Sequence, residues 1–273
     1  MKKNLLRASL GIFVLSCVLV VFSCKKKDDP KPLDQQTNNN TNNNTSNTSP
    51  TFVSSISSKW IVGDGSAKIS AVNANTSGYN SFEFTNGYTY IITKTDGTFL
   101  TGTYTADSVH KQITLANCGV VTITQKTGNQ MNFTLRLTGT STDVTLFTTQ
   151  TSVSIASDIR TDSLCQTWVM VTMYMNGVEN TQTKNAIVAG TAKATVIITK
   201  AGTFMTIQEI SGSPTQYATG TWSWSDGTET TFCKGTTSPC TADRAVFADG
   251  LFYHIYTQGN TTFEEVYQLQ AVN

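Results

Sequence analysis

Short segments in which apolar and polar residues alternate, separated by glycine-containing turns, constrain the fold of this chain more than any other feature. Residues 82–85 and 88–92 are joined by Asn86-Gly87, a pair that accepts the left-handed backbone of a tight β-hairpin turn. Alternation places apolar and polar side chains on opposite faces, which is typical of an antiparallel sheet with one solvated face. Further turns are predicted at Asp96-Gly97, Asn176-Gly177, Asp226-Gly227 and Asp249-Gly250.

The region after residue 53 repeats itself. A tryptophan, an Ile-Ile-Thr-Lys block that ends in Phe, and a Gly-Thr-aromatic strand start occur twice in the same order. The two sets lie roughly 110 residues apart, a spacing that indicates tandem domains and not a solenoid. The first set is Trp60, 91–99 and 102–104, and the second set is Trp168, 197–204 and 220–222. We therefore predict two β domains, at 54–150 and 163–273, each a meander that closes or curls to protect its edges.

The composition agrees with an exported β protein. Threonine is abundant, and its β-branched side chain suits the solvated face of a strand. Charged residues make up only 14% of the chain, against about 25% in an average soluble protein. Beyond residue 50, acidic residues slightly outnumber basic ones. The basic surface that nucleic-acid binding requires is therefore not expected, and no nucleic-acid partner is predicted.

The N-terminus has the layout of an export signal, predicted to span residues 1–23. Three basic residues precede an apolar stretch at 10–22, which is too short for a membrane span of about 20 residues. The Val-Phe-Ser-Cys sequence at 21–24 resembles a bacterial lipobox, with Phe22 where a smaller residue is usual. The resemblance implies cleavage before Cys24 and lipid attachment to Cys24, which would anchor the protein in a membrane. The alternative is an ordinary secretory peptide that happens to contain a cysteine.

The segment after the lipobox has two parts. Lys25-Lys26-Lys27-Asp28-Asp29 resembles the tag that directs Bacteroidetes-type lipoproteins to the outer face of the outer membrane. The alternative is a solvated charge run beside the anchor. Residues 30–50 are rich in Asn, Thr and Ser and have almost nothing apolar to bury, so they are predicted to be disordered. Residues 24–53 are accordingly predicted to be a lipidated tether.

Four features of the first domain, in this order, resemble the small lipocalin-like domains of Bacteroidetes-type outer-membrane lipoproteins. They are Trp60, the pair Phe82 and Phe84, Gly102-Thr103-Tyr104, and Ile113-Thr114-Leu115. The match covers residues 54–150 well and residues 163–273 less well, because a longer segment separates Phe204 from Gly220. The resemblance implies an all-β protein with two tandem antiparallel lipocalin-like barrels. It implies no particular activity, because most members of the family have no assigned function.

Six cysteines are present, of which Cys17 would leave with the signal peptide and Cys24 would carry lipid. Cys233 and Cys240 enclose a short segment with Gly and Pro, and in an oxidising envelope they are predicted to form a disulfide. The last two cysteines would either pair across the two copies or stay as buried thiols: Cys118 and Cys165. A zinc site is not expected, because no histidine lies near either pair in the sequence.

Residues suited to catalysis are sparse. His110 lies in a polar segment and His254 in an aromatic strand, one in each predicted domain, so a nucleophile would have to recruit a lone histidine. Glu264 and Glu265 are adjacent on a predicted strand and point to opposite faces, so they cannot form a glycosidase pair. A further acidic pair brackets a turn and is expected to be solvated: Asp226 and Glu229. We therefore expect no enzymatic activity, no metal and no cofactor.

Two aromatic pairs are the candidates for ligand contact. Trp222 and Trp224 are two residues apart on a predicted strand, as are Tyr88 and Tyr90, so each pair is expected to project from one face. The pairs are interpreted as core, as the lining of a cavity, or as a platform for a sugar ring. The small polar residues that alternate with the tryptophans favour core or cavity over an exposed platform.

These observations predict a non-enzymatic lipoprotein, displayed on the outside of a bacterial outer membrane, that binds a small apolar or glycan ligand. The alternative is a structural or accessory subunit of an outer-membrane assembly, with filled barrels and no ligand. The two hypotheses differ in the interior of the barrels, because a ligand site needs a cavity of about 300–1,000 Å³. The sequence identifies no protein partner.

Overall fold

The computed structural model describes residues 49–63, 78–152, 155–156, 158–225, 230–235 and 242–271. These residues form two antiparallel β-barrels in tandem, which confirms the predicted all-β fold. The strands of barrel 1 are β1 Ser58–Val62, β2 Tyr79–Phe84, β3 Thr89–Lys94, β4 Phe99–Asp107, β5 Gln112–Leu115, β6 Gly119–Thr127, β7 Gln130–Leu137 and β8 Asp143–Gln150. Each strand pairs with the next, and β1 pairs with β8 to close the barrel.

Barrel 2 repeats this order with one insertion. Its strands are β9 Thr167–Met175, β10 Val178–Glu179, β11 Ala192–Ile198, β12 Thr203–Ile210, β13 Gln216–Trp224, β14 Thr231–Lys234, β15 Asp243–Ala248, β16 Leu251–Gln258 and β17 Thr261–Leu269. Pairing of β9 with β17 closes the barrel, and the short β10 only extends β9 as a hairpin. A helix, α3 (Thr181–Val188), follows β10 and leads into β11.

The predicted tight turns lie where the strands reverse. Asn86-Gly87 joins β2 to β3, and Asp96-Gly97 joins β3 to β4. Asn176 and Gly177 both have positive φ, at 51° and 78°, which is the backbone of the hairpin turn that Asn-Gly favours. Asp249-Gly250 forms the same kind of turn between β15 and β16. The remaining predicted turn, Asp226-Gly227, lies outside the described residues.

A short helix precedes the first strand of each barrel and is tied to a tryptophan on that strand. These helices are α1 (Pro50–Ile56) and α2 (Ile159–Leu164). The indole N–H of Trp60 donates to the Ile56 carbonyl at 2.8 Å, and the indole N–H of Trp168 donates to the Leu164 carbonyl at 3.0 Å. Each bond reaches one of the last carbonyls of the helix, which have no partner within the helix; the Leu164 carbonyl also accepts the backbone N–H of Gln166 at 2.8 Å. No helix in the described part of the chain is long and apolar enough to span a membrane.

The first helix, α1, begins at Pro50, inside the segment that the sequence assigned to the tether, 24–53. The first helix places Val53 and Ile56 on one face, three residues apart, and both side chains are buried in the core of barrel 1. The buried side chain of Val53 therefore attaches the C-terminal end of the predicted tether to barrel 1. The predicted signal peptide, the lipobox with Cys24 and the charged tag all lie outside the described residues.

Further side-chain hydrogen bonds recur at matching places in the two barrels. The hydroxyls of Thr85 and Thr199 each accept the backbone N–H at the far end of the turn between the second and third strands, at 3.1 Å in both cases. The backbone carbonyls of the same two threonines accept from the fourth strand. Tyr104 Oη donates to Thr85 at 2.7 Å, and Trp222 Nε1 donates to Thr199 at 2.8 Å.

These matches show that the blocks predicted to be equivalent are displaced by one strand. Residues 91–99 form the turn between the third and fourth strands of barrel 1, whereas residues 197–204 form the turn between the second and third strands of barrel 2. The structural counterpart of 197–204 is the turn at Asn86-Gly87. The sequence of a hairpin specifies a turn and two flanking strands but not a position in the barrel, so similar segments mark different hairpins.

The two barrels pack against each other through the outer faces of β2–β4 in barrel 1 and of strands β9 and β11–β13 in barrel 2. Hydroxyl and carboxyl groups cross this contact: Thr89 Oγ1 lies 2.7 Å from Thr167 Oγ1, and Thr203 Oγ1 donates to Glu83 Oε2 at 2.8 Å. An apolar cluster lies beside them, formed by Ile91, Phe99, Ile197, Met205 and Ile207. Where the two outer faces meet, they are therefore buried between the barrels and not exposed to solvent.

Candidate functional site

Six polar side chains project into barrel 2 and form one hydrogen-bonded group, which we call the polar cluster: Lys234, Asp243, His254, Tyr256, Glu265 and Tyr267. They come from β14–β17. Register explains their meeting, because Ala245, His254 and Glu265 are direct partners across β15, β16 and β17 and paired residues share a face of the sheet.

His254 lies at the centre of the polar cluster. Its Nδ1 is 2.9 Å from Glu265 Oε2, and its Nε2 is 2.8 Å from Asp243 Oδ2. The imidazole side chain is only 4% exposed. Tyr256 and Tyr267 complete the group by donating their hydroxyls to Glu265 at 3.0 and 2.8 Å.

Lys234 links the polar cluster to solvent. Its ammonium lies 2.7 Å from Asp243 Oδ2, and it also lies over the rings of Phe204 and Tyr256, at 5.4 and 5.1 Å from their centroids. A cation over an aromatic face is stabilised by the ring quadrupole. The Lys234 side chain is 20% exposed, against 13% for Glu265, 7% for Asp243 and 4% for His254.

The two carboxylates are held in their ionised form. Burial by itself would raise the pKa of Asp243, but the hydrogen bond from His254 and the charge of Lys234 outweigh burial and lower this pKa. The same balance lowers the pKa of Glu265, with His254 and the Tyr267 hydroxyl as the main opposing groups. Burial raises the pKa of both tyrosines, so their hydroxyls stay protonated and donate.

The geometry places His254 between the two carboxylates. One ring nitrogen faces Glu265 and the other faces Asp243, and ionised carboxylates accept hydrogen bonds but cannot donate them. The ammonium of Lys234 lies beside Asp243 on another side. His254 and Lys234 are therefore the partners of the two carboxylates inside the barrel.

Barrel 1 has a different interior. Its buried core is built from aromatic and aliphatic side chains that include Trp60, Phe82, Phe84, Tyr90, Tyr104, Ile113, Val121, Met131, Phe133 and Leu135. Within its described residues, this core holds no carboxylate, amine or imidazole. Burying an ion costs several kcal/mol before pairing, and a barrel can be filled without that cost, as barrel 1 shows. Barrel 2 is therefore the better candidate for a functional site.

The two tryptophans singled out in the sequence lie inside barrel 2, beside the polar cluster. Trp222 is buried and Trp224 is partly buried, and their rings meet edge to face at 5.5 Å. Trp224 Nε1 donates to Thr161 Oγ1 of α2 at 2.9 Å, which places this residue at the α2 end of the barrel. The pair forms core, in agreement with the alternation along β13.

The tyrosine pair differs from the prediction. Tyr90 is on β3 and is buried in barrel 1, where its hydroxyl donates to the Ala116 carbonyl at 2.9 Å. Tyr88 precedes the strand and belongs to the hairpin turn, with φ at 56°. The prediction that Tyr88 is on the strand is therefore wrong, because the Asn-Gly turn extends one residue further than the strand pattern indicated, but Tyr88 packs against the same core as Tyr90. Its ring packs on Tyr104 at 5.6 Å.

The two histidines lie in different environments, one exposed and one buried. His110 is exposed in the connection between β4 and β5 and lies 2.6 Å from Asp107 Oδ2, as a loop residue would. His254 lies in the polar cluster, a constellation that the sequence analysis did not find. Its partners come from strands that are neighbours only in the folded barrel. Glu265 is paired with His254 and points into the barrel, whereas Glu264 points to the opposite face. Alternation in β15–β17 is the signal that could have placed Asp243 and Glu265 beside His254.

The cysteine predictions have mixed outcomes. Cys118 and Cys165 are free and buried, so the alternative of a bond between the two copies is wrong and that of buried thiols is confirmed. Cys233 lies on β14, but Cys240 lies outside the described residues, so their disulfide stays a prediction.

Asp226 and Glu229 also lie outside the described residues. Within the described part of the chain, no three His, Cys, Asp or Glu side chains could hold a metal ion.

Two open grooves flank α2 at one end of barrel 2. The larger has a volume of about 660 Å³ and is lined by residues that include Trp168, Phe247 and Leu269. The smaller has a volume of about 340 Å³, and Arg160 and Arg244 contribute to its lining. None of the described residues that line either groove belongs to the polar cluster.

No protein-family model matches the chain, and no curated protein matches its sequence. A protein of unknown function from the DUF3598 family of Nostoc punctiforme is 7% identical over 82% of this chain and 99% of its own, with a TM-score of 0.23. The DnaN sliding clamp of Pseudomonas aeruginosa, bound to griselimycin, is 12% identical over 81% of this chain and 58% of its own, with a TM-score of 0.13. At these scores neither likeness bears on the function of this chain.

Proposed function

We propose that this protein is a lipid-anchored, non-enzymatic lipoprotein of a bacterial envelope, and that its second barrel binds a small polar ligand with a ring, such as a sugar unit. The single observation that carries the ligand proposal is the polar cluster inside barrel 2. Barrel 1 serves as a filled spacer between the tether and the binding barrel. Display on the outer face of the outer membrane remains part of the proposal and rests on the charged tag after Cys24.

The chemistry of the polar cluster supports a polar ligand over an apolar one. Lys234 and the carboxylates offer charged hydrogen-bonding groups, and Phe204 and Tyr256 offer ring faces at the same point. Binding sites combine apolar walls with a few placed polar groups that orient the ligand. Lys234 is the mobile element in this scheme, because its long side chain can turn away from Asp243 while His254 keeps that carboxylate paired.

The ligand proposal is tested by native mass spectrometry of the full chain, purified in detergent from its own envelope and from a foreign host. We expect a bound mass that denaturation releases and that Lys234→Met reduces. The matched control is Lys193→Met, because Lys193 forms an exposed ion pair with Glu209 on β11 and β12. Clean apo masses from both sources would overturn ligand binding, and equal retention by the two variants would exclude the polar cluster as its site.

The anchor is tested separately by metabolic labelling with a fatty acid. Cys24→Ser should abolish the label and release the protein from membranes, whereas Cys118→Ser should leave both unchanged because Cys118 is buried in barrel 1. Protease digestion of intact cells then tests surface display. Labelling that persists in Cys24→Ser would contradict the lipoprotein proposal.

Mass analysis of the unreduced chain checks the proposed Cys233–Cys240 bond through the loss of two hydrogen atoms.

The second candidate function is a structural or accessory subunit of an outer-membrane assembly. The filled interior of barrel 1 favours it, because ten or more large side chains pack that core. Under this hypothesis both native mass measurements give an apo protein, and chemical cross-linking of intact cells joins the chain to a protein partner.

A further inference from the structure

Another buried carboxylate, Glu83, lies between the two barrels and apart from the polar cluster. Glu83 projects from the outer face of β2 and is 2% exposed. Oε2 accepts a hydrogen bond from Thr203 of barrel 2 at 2.8 Å. Oε1 is buried and has no hydrogen-bond partner among the described residues. A buried acceptor without a partner is costly, and far more so when it is charged.

Few charges of the described residues face this carboxyl. On the neighbouring strand Lys59 is the direct partner of Glu83, and its ammonium, 3.5 Å from Thr203 Oγ1, opposes the effect of burial. From barrel 2 the thiol of Cys165 faces it, and burial raises the pKa of that thiol so that it stays neutral. The hydroxyl of Thr199 also faces the carboxyl and lowers its pKa, and the apolar cluster lies on the remaining side. Burial outweighs these partners and raises the pKa of Glu83.

We infer that the protonation state of Glu83 sets how tightly the two barrels dock: they are locked when the carboxyl is neutral and loosened when it is ionised. Separation of the barrels is what would hydrate the unpaired Oε1. Among the described residues, the contact that would open consists of a small apolar cluster, the Phe99–Tyr217 ring pair, the Thr89–Thr167 hydroxyl pair and the hydrogen bonds of Thr203 with Glu83 and Lys59. In a contact of this size a single carboxylate can decide the strength. Each barrel keeps its own closed sheet and core when the contact opens.

The sign of the pH dependence follows from the raised pKa of Glu83. The docked form keeps the proton at pH values where a solvated glutamate, with a pKa of about 4.3, has lost it. Docking is therefore strongest in acid and weakens as pH rises, by up to tenfold per pH unit for one proton. The decline stops once the pH exceeds the pKa of the docked form.

Oxidation of Met205 by hydrogen peroxide measures this opening. Met205 is fully buried in the apolar cluster between the barrels, and its sulfur is oxidised only when peroxide reaches it. Met131 is equally buried but lies inside barrel 1, so it reports opening of a barrel and not undocking. Rates are read by peptide mass spectrometry on the full chain between pH 5 and pH 8, for wild type and for Glu83→Gln.

The expected result is a wild-type to E83Q rate ratio at Met205 that rises with pH by up to tenfold per unit and then levels, with no such change at Met131. Glu209→Gln, which changes an exposed carboxylate on β12 of barrel 2, should behave as wild type. Thr203→Val removes the donor to Oε2 and should speed Met205 oxidation more at pH 8 than at pH 5, which tests the inference even if E83Q does not fold. A ratio that is constant with pH overturns it.

Discussion

At the scale of single residues, the pKa values of two buried glutamates, Glu265 and Glu83, are shifted in opposite directions. Their contributions to stability therefore change in opposite directions with pH. The pKa of Glu265 is lowered by His254 and by the Tyr267 hydroxyl despite burial, whereas the pKa of Glu83 is raised because burial prevails over Thr199, Lys59 and Thr203. A carboxylate with a lowered pKa stabilises the fold above the pKa of the unfolded chain and loses this contribution in acid. The hydrogen bond and charge of His254 are partners that Glu265 has and Glu83 lacks.

Glu265→Gln should lower the free energy of unfolding by about 3 kcal/mol at pH 7, because it leaves His254 with one anionic partner and faces an amide toward two hydroxyl donors. Glu264→Gln is the matched control, since the neighbouring side chain points out of the barrel, and its effect should stay within about 0.5 kcal/mol. Urea unfolding at a series of pH values measures both. The E265Q deficit should shrink below about pH 4, where wild type also loses its ionised Glu265; a deficit unchanged at pH 3 would contradict the lowered pKa.

At the scale of the element, the start of β6 requires glycine. A Cβ on Gly119 would overlap the backbone carbonyl oxygen of Arg136 and lie 2.9 Å from Leu137 Cα, both on the partner strand β7. These atoms are backbone and cannot turn aside. Gly220, in the middle of β13, has ordinary φ and no heavy atom of the described residues within 4 Å of such a Cβ.

Gly119→Ala should therefore destabilise the protein by about 3 kcal/mol through disruption of the β6–β7 register. Gly220→Ala should change the free energy of unfolding by less than about 1 kcal/mol, because it mainly restricts the unfolded chain. Thermal unfolding followed by circular dichroism compares the two variants. Equal stability of the two alanine variants would show that the close approach at Gly119 is relieved at no cost.

At the scale of the whole molecule, the contact between the barrels determines whether they unfold together. Met205→Ala empties part of the apolar cluster between them, and a buried Met-to-Ala change costs about 2–5 kcal/mol. Part of this cost can be relieved by separation of the barrels. We expect differential scanning calorimetry to show two resolved transitions for M205A where wild type shows one.

Met131→Ala is the control for this prediction, because Met131 is equally buried but lies within the core of barrel 1. It should lower the stability of barrel 1 without abolishing the contact between the barrels. Two transitions in wild type, or the same profile for both variants, would show that the barrels unfold independently of this contact.

Local sequence patterns determined the architecture of this protein. Alternation and turns such as Asn86-Gly87 predicted hairpins, because the side-chain period of a strand and the left-handed backbone of a turn are local properties. The duplication was also visible, through Trp60, Trp168 and the Gly-Thr-aromatic segments of the fourth strands. The prediction that the two Ile-Ile-Thr-Lys blocks occupy equivalent positions was wrong, since a hairpin sequence does not encode its place in a barrel.

Tertiary structure decided the candidate site and the barrel contact. Asp243, His254 and Glu265 look unrelated in sequence and meet only because the register of three strands aligns them inside a closed sheet. Glu83 alternates with Phe82 and Phe84 on β2 and so lies on the outer face of barrel 1, which the second barrel covers. Sequence alternation tells which side chains share a face, but closure and docking decide whether that face meets water, core or another barrel, and so which charges are costly to bury.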